Sequence, residues 1–121
     1  MARNDSNKTK GAIGEAIAAD YLEKLGFTIV EKNWHYSRFA EIDIIAKKEN
    51  LYIFVEVKTR TNCNYGHPFE AIDYKKLQHI QLGALAYLDK FAEQNSNFRI
   101  DVIGVINPKN PQIEHLQGIS L

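Results

Sequence analysis

Ile53-Phe54-Val55-Glu56-Val57-Lys58-Thr59-Arg60 is the stretch whose reading decides the fold. It opens as an apolar run rich in β-branched residues, which predicts a buried strand. It closes with a carboxylate and an ammonium two residues apart. Side chains at i and i+2 share one face of a strand, so Glu56 and Lys58 point the same way. Just upstream, Glu41-Ile42-Asp43-Ile44-Ile45-Ala46 predicts a second apolar strand carrying another acid, Asp43. A two-residue turn at Glu49-Asn50 sets Lys48 against Leu51 and Asp43 against Glu56. A four-residue loop gives the same pairing, whereas a three-residue loop puts the acids on opposite faces. The even loops also sort Ile42, Ile44, Ala46, Ile53, Val55 and Val57 onto one apolar face. Asp43, Glu56 and Lys58 then share the other face with Ile45, Tyr52 and Phe54.

Outward from this hairpin the chain reads as α-β-β-β-α-β, an α/β fold with a mixed sheet flanked by helices. A polar tail over 1–8 precedes a helix from about Thr9 to Leu25, with Ile13, Ile17, Tyr21 and Leu25 recurring along one face and Gly26 as its stop. The alternating segment 27–34 predicts a strand, and strands follow at about 41–47 and 51–58. Residues 59–69 hold Asn, Gly and Pro and predict a loop. A second amphipathic helix runs from about Ile72 to Ala92, with Leu77, Ile80, Ala84, Leu88 and Phe91 on its stripe. Residues 99–106 predict another strand, and Gln112 to Leu116 a short edge strand.

Composition bounds the function. At 121 residues the chain is read as one domain, 1–121, and its 45% hydrophobic and 25% charged content is that of an ordinary globular protein. No apolar run approaches the roughly 20 residues of a membrane span, and the N-terminus lacks a signal-peptide core, so a cytoplasmic protein with no membrane partner is expected. The single Cys63 excludes an internal disulfide and a cysteine-based zinc site. Lys+Arg and Asp+Glu both number 15, so any basic surface for a nucleic acid has to be local.

Two acids and a lysine on neighbouring strands can hold a divalent metal beside a polarised water. Mg²⁺, or Mn²⁺ in its place, takes oxygen ligands from one or two carboxylates, waters and a phosphate. Asp43 and Glu56 offer the carboxylates, the Val57 carbonyl a third oxygen, and Lys58 a cation for the water or the attacked phosphate. Two adjacent carboxylates without a metal repel, and one then holds a proton near neutral pH. Glu-x-Lys by itself is weak, since a chain of this size holds about 0.5 by chance. The bland alternative is a strand end with a cross-strand salt bridge.

The residues also carry a resemblance. Gly11-Ala12-Ile13-Gly14-Glu15, Tyr21-Leu22, Gly26-Phe27, Glu41-Ile42-Asp43 and Phe54-Val55-Glu56-Val57-Lys58-Thr59-Arg60 resemble the bacterial YraN-type uncharacterised family. So do Pro68-Phe69-Glu70-Ala71, Lys76, Ala86-Tyr87-Leu88 and Arg99-Ile100-Asp101-Val102. That family is similar to archaeal Holliday-junction resolvases and to the wider PD-(D/E)xK nuclease class, so the resemblance implies a restriction-endonuclease-like core. It implies that Glu15 on the first helix joins Asp43 and Glu56 as a metal ligand, with Lys58 completing the catalytic set. Two positions depart from the pattern. Ala40 stands where the family usually has Gly, which matters if the backbone there needs φ > 0. Ile42 stands where the class has Pro, and no ligand is lost.

Arg60, Lys75 and Lys76 are candidates for a nucleic-acid backbone, with solvated surface charge as the default for Lys75 and His79. Glu41 shares the face of Asp43, either in support of it or as a solvated strand start. Tyr65, Gly66 and His67 occupy the loop where a substrate-contacting flap would lie, or form a mobile loop. His35, His67, His79 and His115 show no paired zinc spacing. Asp101 reads as a structural acceptor, and Trp34 and Tyr36 as packing residues or base-stacking platforms. The expected function is a Mg²⁺-dependent endonuclease on branched or junction DNA, homodimeric because a symmetric junction has two scissile strands. The alternatives are a catalytically inactive nucleic-acid-binding module and a subunit that needs a protein partner.

Overall fold

The computed structural model describes residues 2–38, 40–64, 66–93 and 95–119, and of residues 2–8 and 71 the backbone alone. Tyr65, one of the loop residues singled out above, lies outside them. The elements are α1 (Ala2–Lys24), β1 (Thr28–Ser37), β2 (Ala40–Lys48), β3 (Leu51–Arg60), a short 3-10 turn at Pro68–Ala71, α2 (Tyr74–Phe91), β4 (Asn97–Ile106) and β5 (Gln112–Leu116). The expected order is present, with the edge strand where it was placed. α1 begins at Ala2, so residues assigned to a tail form its first turns.

The strands lie side by side in chain order, β1 to β5. Neighbours are antiparallel except β3 and β4, which are parallel and joined by α2. α1 covers one face through Ala18, Ala19 and Leu22, packed on Ile44, Ala46, Ile53, Val55, Ile103 and Val105. α2 covers the other through Leu77, Ile80, Ala84 and Tyr87, packed on Ile42, Ile45, Tyr52, Phe54, Ile100 and Val102.

The buried side of α1 differs from the expected stripe. Ile13 and Leu25 are exposed, at 45% and 42%, while Gly14, Ala18 and Leu22 are buried. Small residues win that face because the helix lies close on the sheet. A Cβ added at Gly14 would fall on Thr59 Oγ1. Only glycine permits this approach, and the next residue is Glu15. At the helix end Gly26 adopts φ +97°, and Lys48 Nζ donates to the Leu25 carbonyl at 2.9 Å. On α2 the expected stripe holds for Leu77, Ile80 and Ala84, but Phe91 is 52% exposed and lies against the Tyr87 ring.

The hairpin takes the two-residue turn. Lys48 pairs with Leu51, and the ladder runs to Ile44 opposite Val55. Ile44, Ala46, Ile53 and Val55 share one face and Ile45, Tyr52 and Phe54 the other, as the even-loop register requires. Ile42 is the correction, because it packs with Ile45 on the α2 side. Strict alternation breaks between them, at Asp43. Across the β1–β2 ladder Lys32 pairs with Ile44 and Trp34 with Ile42, so Asn33 lies opposite Asp43, and its φ is +51°. Asparagine is one of the few residues that tolerates this conformation within a strand. Two irregular residues face each other where the site begins.

Candidate functional site

Past Ile44 and Val55 the β2–β3 ladder gives out, and a side chain takes over its hydrogen bonding. The Val57 N–H donates to Asp43 Oδ2 at 2.8 Å. Asp43 is therefore held to β3 by its carboxyl group, at the point where the two strands part. Its carboxyl also lies in hydrogen-bonding contact with that of Glu56. Both residues are buried, at 9% and 3% exposure.

Two carboxyl groups can bond only through a proton held by one of them. Burial is the largest cause that pushes the Asp43 carboxyl up, to about 8. The bond to Glu56 and the fields of Glu56 and Glu15 push the same way, and the Val57 N–H opposes them. Among the described residues no N–H or hydroxyl donor reaches Glu56 Oε1, a buried acceptor, so a proton shared with Asp43 is what can serve it. The other oxygen, Oε2, faces two ammonium groups. Lys76 Nζ lies 2.7 Å away and Lys58 Nζ 3.9 Å away.

Glu15 approaches from α1, the helix on the opposite face of the sheet from Lys76. Burial raises its carboxyl pKa most, a bond from Asn33 lowers it, and the fields of Glu41 and Glu56 raise it. Glu15 thus lies within the field of the acid pair and is fastened to the irregular Asn33. Among the described residues no three His, Cys, Asp or Glu side chains form a ready metal cage. The acid pair meets as the register required, and the third acid is near it without closing the set. The donors present, hard carboxylate oxygens, suit Mg²⁺ or Mn²⁺.

Arg60 lines a polar groove with Lys10, Glu15, Lys58 and Thr59, between α1 and the end of β3. Its guanidinium donates to the Thr59 carbonyl at 3.0 Å. Lys75 is exposed on the first turn of α2, where Asp73 Oδ1 accepts its N–H at 3.0 Å and that of Lys76 at 3.3 Å. Glu41 is exposed and faces His35 at 3.7 Å. Trp34 packs edge-on against Tyr87, with centroids 5.3 Å apart, while Tyr36 is 54% exposed. Ala40 is buried and has no positive φ, so alanine brings no strain there.

Two histidines do more than their spacing suggested. His67 Nδ1 accepts the Phe69 N–H at 3.1 Å, which leaves the ring proton on Nε2 to bond Glu114 of β5. The loop after β3 is thereby tied to the edge strand. His115 Nε2 bonds Asp101 at 2.8 Å and its Nδ1 meets the Tyr21 hydroxyl at 3.0 Å. Asp101, wholly buried, also accepts from Arg99 Nε at 3.0 Å and from the Gly118 N–H at 3.0 Å. It is the structural acceptor its place in an apolar strand suggested. Sequence reading missed Asn33 and the grip of Lys76 on Glu56. An asparagine inside a β-branched strand was the available signal for the first.

A mixed five-stranded sheet between two helices, in the order helix, three strands, helix, strands, places the protein among mixed α/β folds and is consistent with a restriction-endonuclease-like core. The profile of the uncharacterised protein family UPF0102, the YraN-type family, matches residues 14–105, and the chain belongs to that family. The UPF0102 protein of Leifsonia xyli subsp. xyli is 40% identical over 121 residues, covering 98% of this chain and 99% of its own. A UPF0102 protein of Caldanaerobacter subterraneus subsp. tengcongensis is 43% identical over 115 residues, covering 94% and 93%. One from Clostridium botulinum (strain 657 / Type Ba4) is 48% identical over 101 residues, covering 83% and 81%.

Proposed function

We propose that the protein is a metal-dependent endonuclease that hydrolyses phosphodiesters in branched or junction DNA, acting as a homodimer. The observation that carries the reading is the buried Asp43–Glu56 pair, two carboxyls meeting where, among the described residues, no N–H or hydroxyl donor reaches Glu56 Oε1. Burying two carboxyls against each other costs stability, and a cation at that place offsets the cost. Asp43, Glu56 and Glu15 are the residues that would hold it. A bound Mg²⁺ or Mn²⁺ supplies a water of lowered pKa and neutralises charge building on the attacked phosphate. Lys58, beside Glu56, orients that phosphate or the water. Lys10 and Arg60, in the groove with Glu15 and Lys58, bind the backbone on either side of the scissile bond.

The test is incubation of the purified protein with Mg²⁺ or Mn²⁺ and a panel of duplex, flap and four-way-junction DNA. Wild type is expected to cut at least one branched substrate, and Asp43→Ala and Glu56→Gln to lose about a hundredfold or more of that rate. Wild type as inert as Asp43→Ala on every substrate would falsify the reading. The lack of a ready three-ligand cage favours a second one, a nucleic-acid-binding module or partner-dependent subunit. On that reading Mn²⁺ shows no binding that depends on Asp43 and Glu56.

A further inference from the structure

We propose that Lys76 is a resident counter-cation: its ammonium occupies the Glu56 carboxylate in the metal-free protein, and an arriving divalent ion displaces it. The proposal rests on the metal-site reading above and adds what the site does when empty. Three observations support it.

The first is the contact itself. Lys76 Nζ lies 2.7 Å from Glu56 Oε2, closer than Lys58 on the same strand at 3.9 Å. Both ammonium groups face the same carboxylate oxygen, Oε2.

The second is exposure. The Glu56 side chain is 4% exposed and that of Lys76 41%. The acid is fixed inside, whereas the lysine reaches it from the surface along a flexible stem. One partner can leave into water and the other cannot.

The third is the position of Lys76 in its helix. The first turn of a helix is its positive end, which disfavours cations. The first turn of α2 holds no acid, and its N-cap is already supplied by Asp73. The contact with Glu56 offsets that cost for Lys76. Once a divalent ion neutralises the carboxylates, that hold is gone.

Calorimetric titration of MnCl₂ into metal-free wild type, Lys76→Gln and Lys76→Arg tests this directly. Removing the competing charge should tighten Mn²⁺ binding in Lys76→Gln by about tenfold, while Lys76→Arg stays near wild type. A second measurement uses the wild type alone: acylation of lysine amines read by mass spectrometry, with and without Mn²⁺. Lys76 should be labelled severalfold faster once Mn²⁺ is present. If wild type binds Mn²⁺ through Asp43 and Glu56 while neither the Lys76→Gln affinity nor the labelling changes, the counter-cation idea is overturned and the metal site stands. If neither wild type nor Lys76→Gln binds Mn²⁺, the metal-site reading falls, and this proposal with it.

Discussion

Metal-free Asp43→Asn is expected to melt well above the wild type at pH 8.5 and only slightly above it at pH 5. The folded protein holds the Asp43 carboxyl up at about 8, against an ordinary value of 3.8, because the group is buried against Glu56. Folding therefore takes up a proton between these values, and wild-type stability falls as pH rises from about 4 through about 8. Asparagine has the shape of the protonated acid and no titration, so its advantage grows over that window and levels off above it. The gain at pH 8.5 should be about 5 °C or more for a domain of this size. Mn²⁺ should reverse the ranking by stabilising the wild type and leaving Asp43→Asn unmoved. Thermal melts at the two pH values, with chelator or with Mn²⁺, settle the matter. A gap that stays flat from pH 5 to pH 8.5 would count against a shared proton.

The second large effect belongs to Asp101, on the opposite side of β4 from Ile100 and Val102. Asp101→Ala should cost about 3–5 kcal/mol, because it strands a half-buried arginine, a buried histidine and a backbone N–H together. Burial alone would raise the Asp101 pKa, but the bonds from His115, Gly118 and Arg99 outweigh it and hold the carboxyl below the usual range. Its stabilisation is then complete above the unfolded value of 3.8 and fades as pH falls below that, through the depressed folded value. Chemical denaturation at pH 7 gives the magnitude. His115→Ala and the double variant should show strong non-additivity, since both truncate one network. An Asp101→Ala protein within about 1 kcal/mol of wild type would mean that these contacts contribute little.

Much of this was legible because period-2 patterning is local. Ile53 to Val57 and Ile44 to Ala46 each declare their faces, and the parity of one turn then decides whether Asp43 meets Glu56. The register followed from those residues. Ile42 did not, because its face depends on a kink shared with Asn33 across a different ladder. α1 misled for another reason. Its large apolar residues suggested the buried stripe, but close packing over Thr59 selected Gly14 and Ala18. Lys76 reads from sequence as a candidate for a nucleic-acid backbone and not as a partner of Glu56, since helical spacing shows which residues share a face and not what a long flexible side chain can reach. The Asp101 network is spread over Tyr21, Arg99, His115 and Gly118, and only the assembled sheet brings those positions together.

α2 shields Glu56 and also carries the ammonium that Glu56 bonds. In the metal-free protein, shielding and neutralisation therefore come from the same helix. When α2 lifts in a local fluctuation, the acid returns to water as its lysine leaves, and no intermediate arrangement strands a bare charge inside. The same coupling makes any opening of this helix an exposure of the Glu56 carboxylate to solvent.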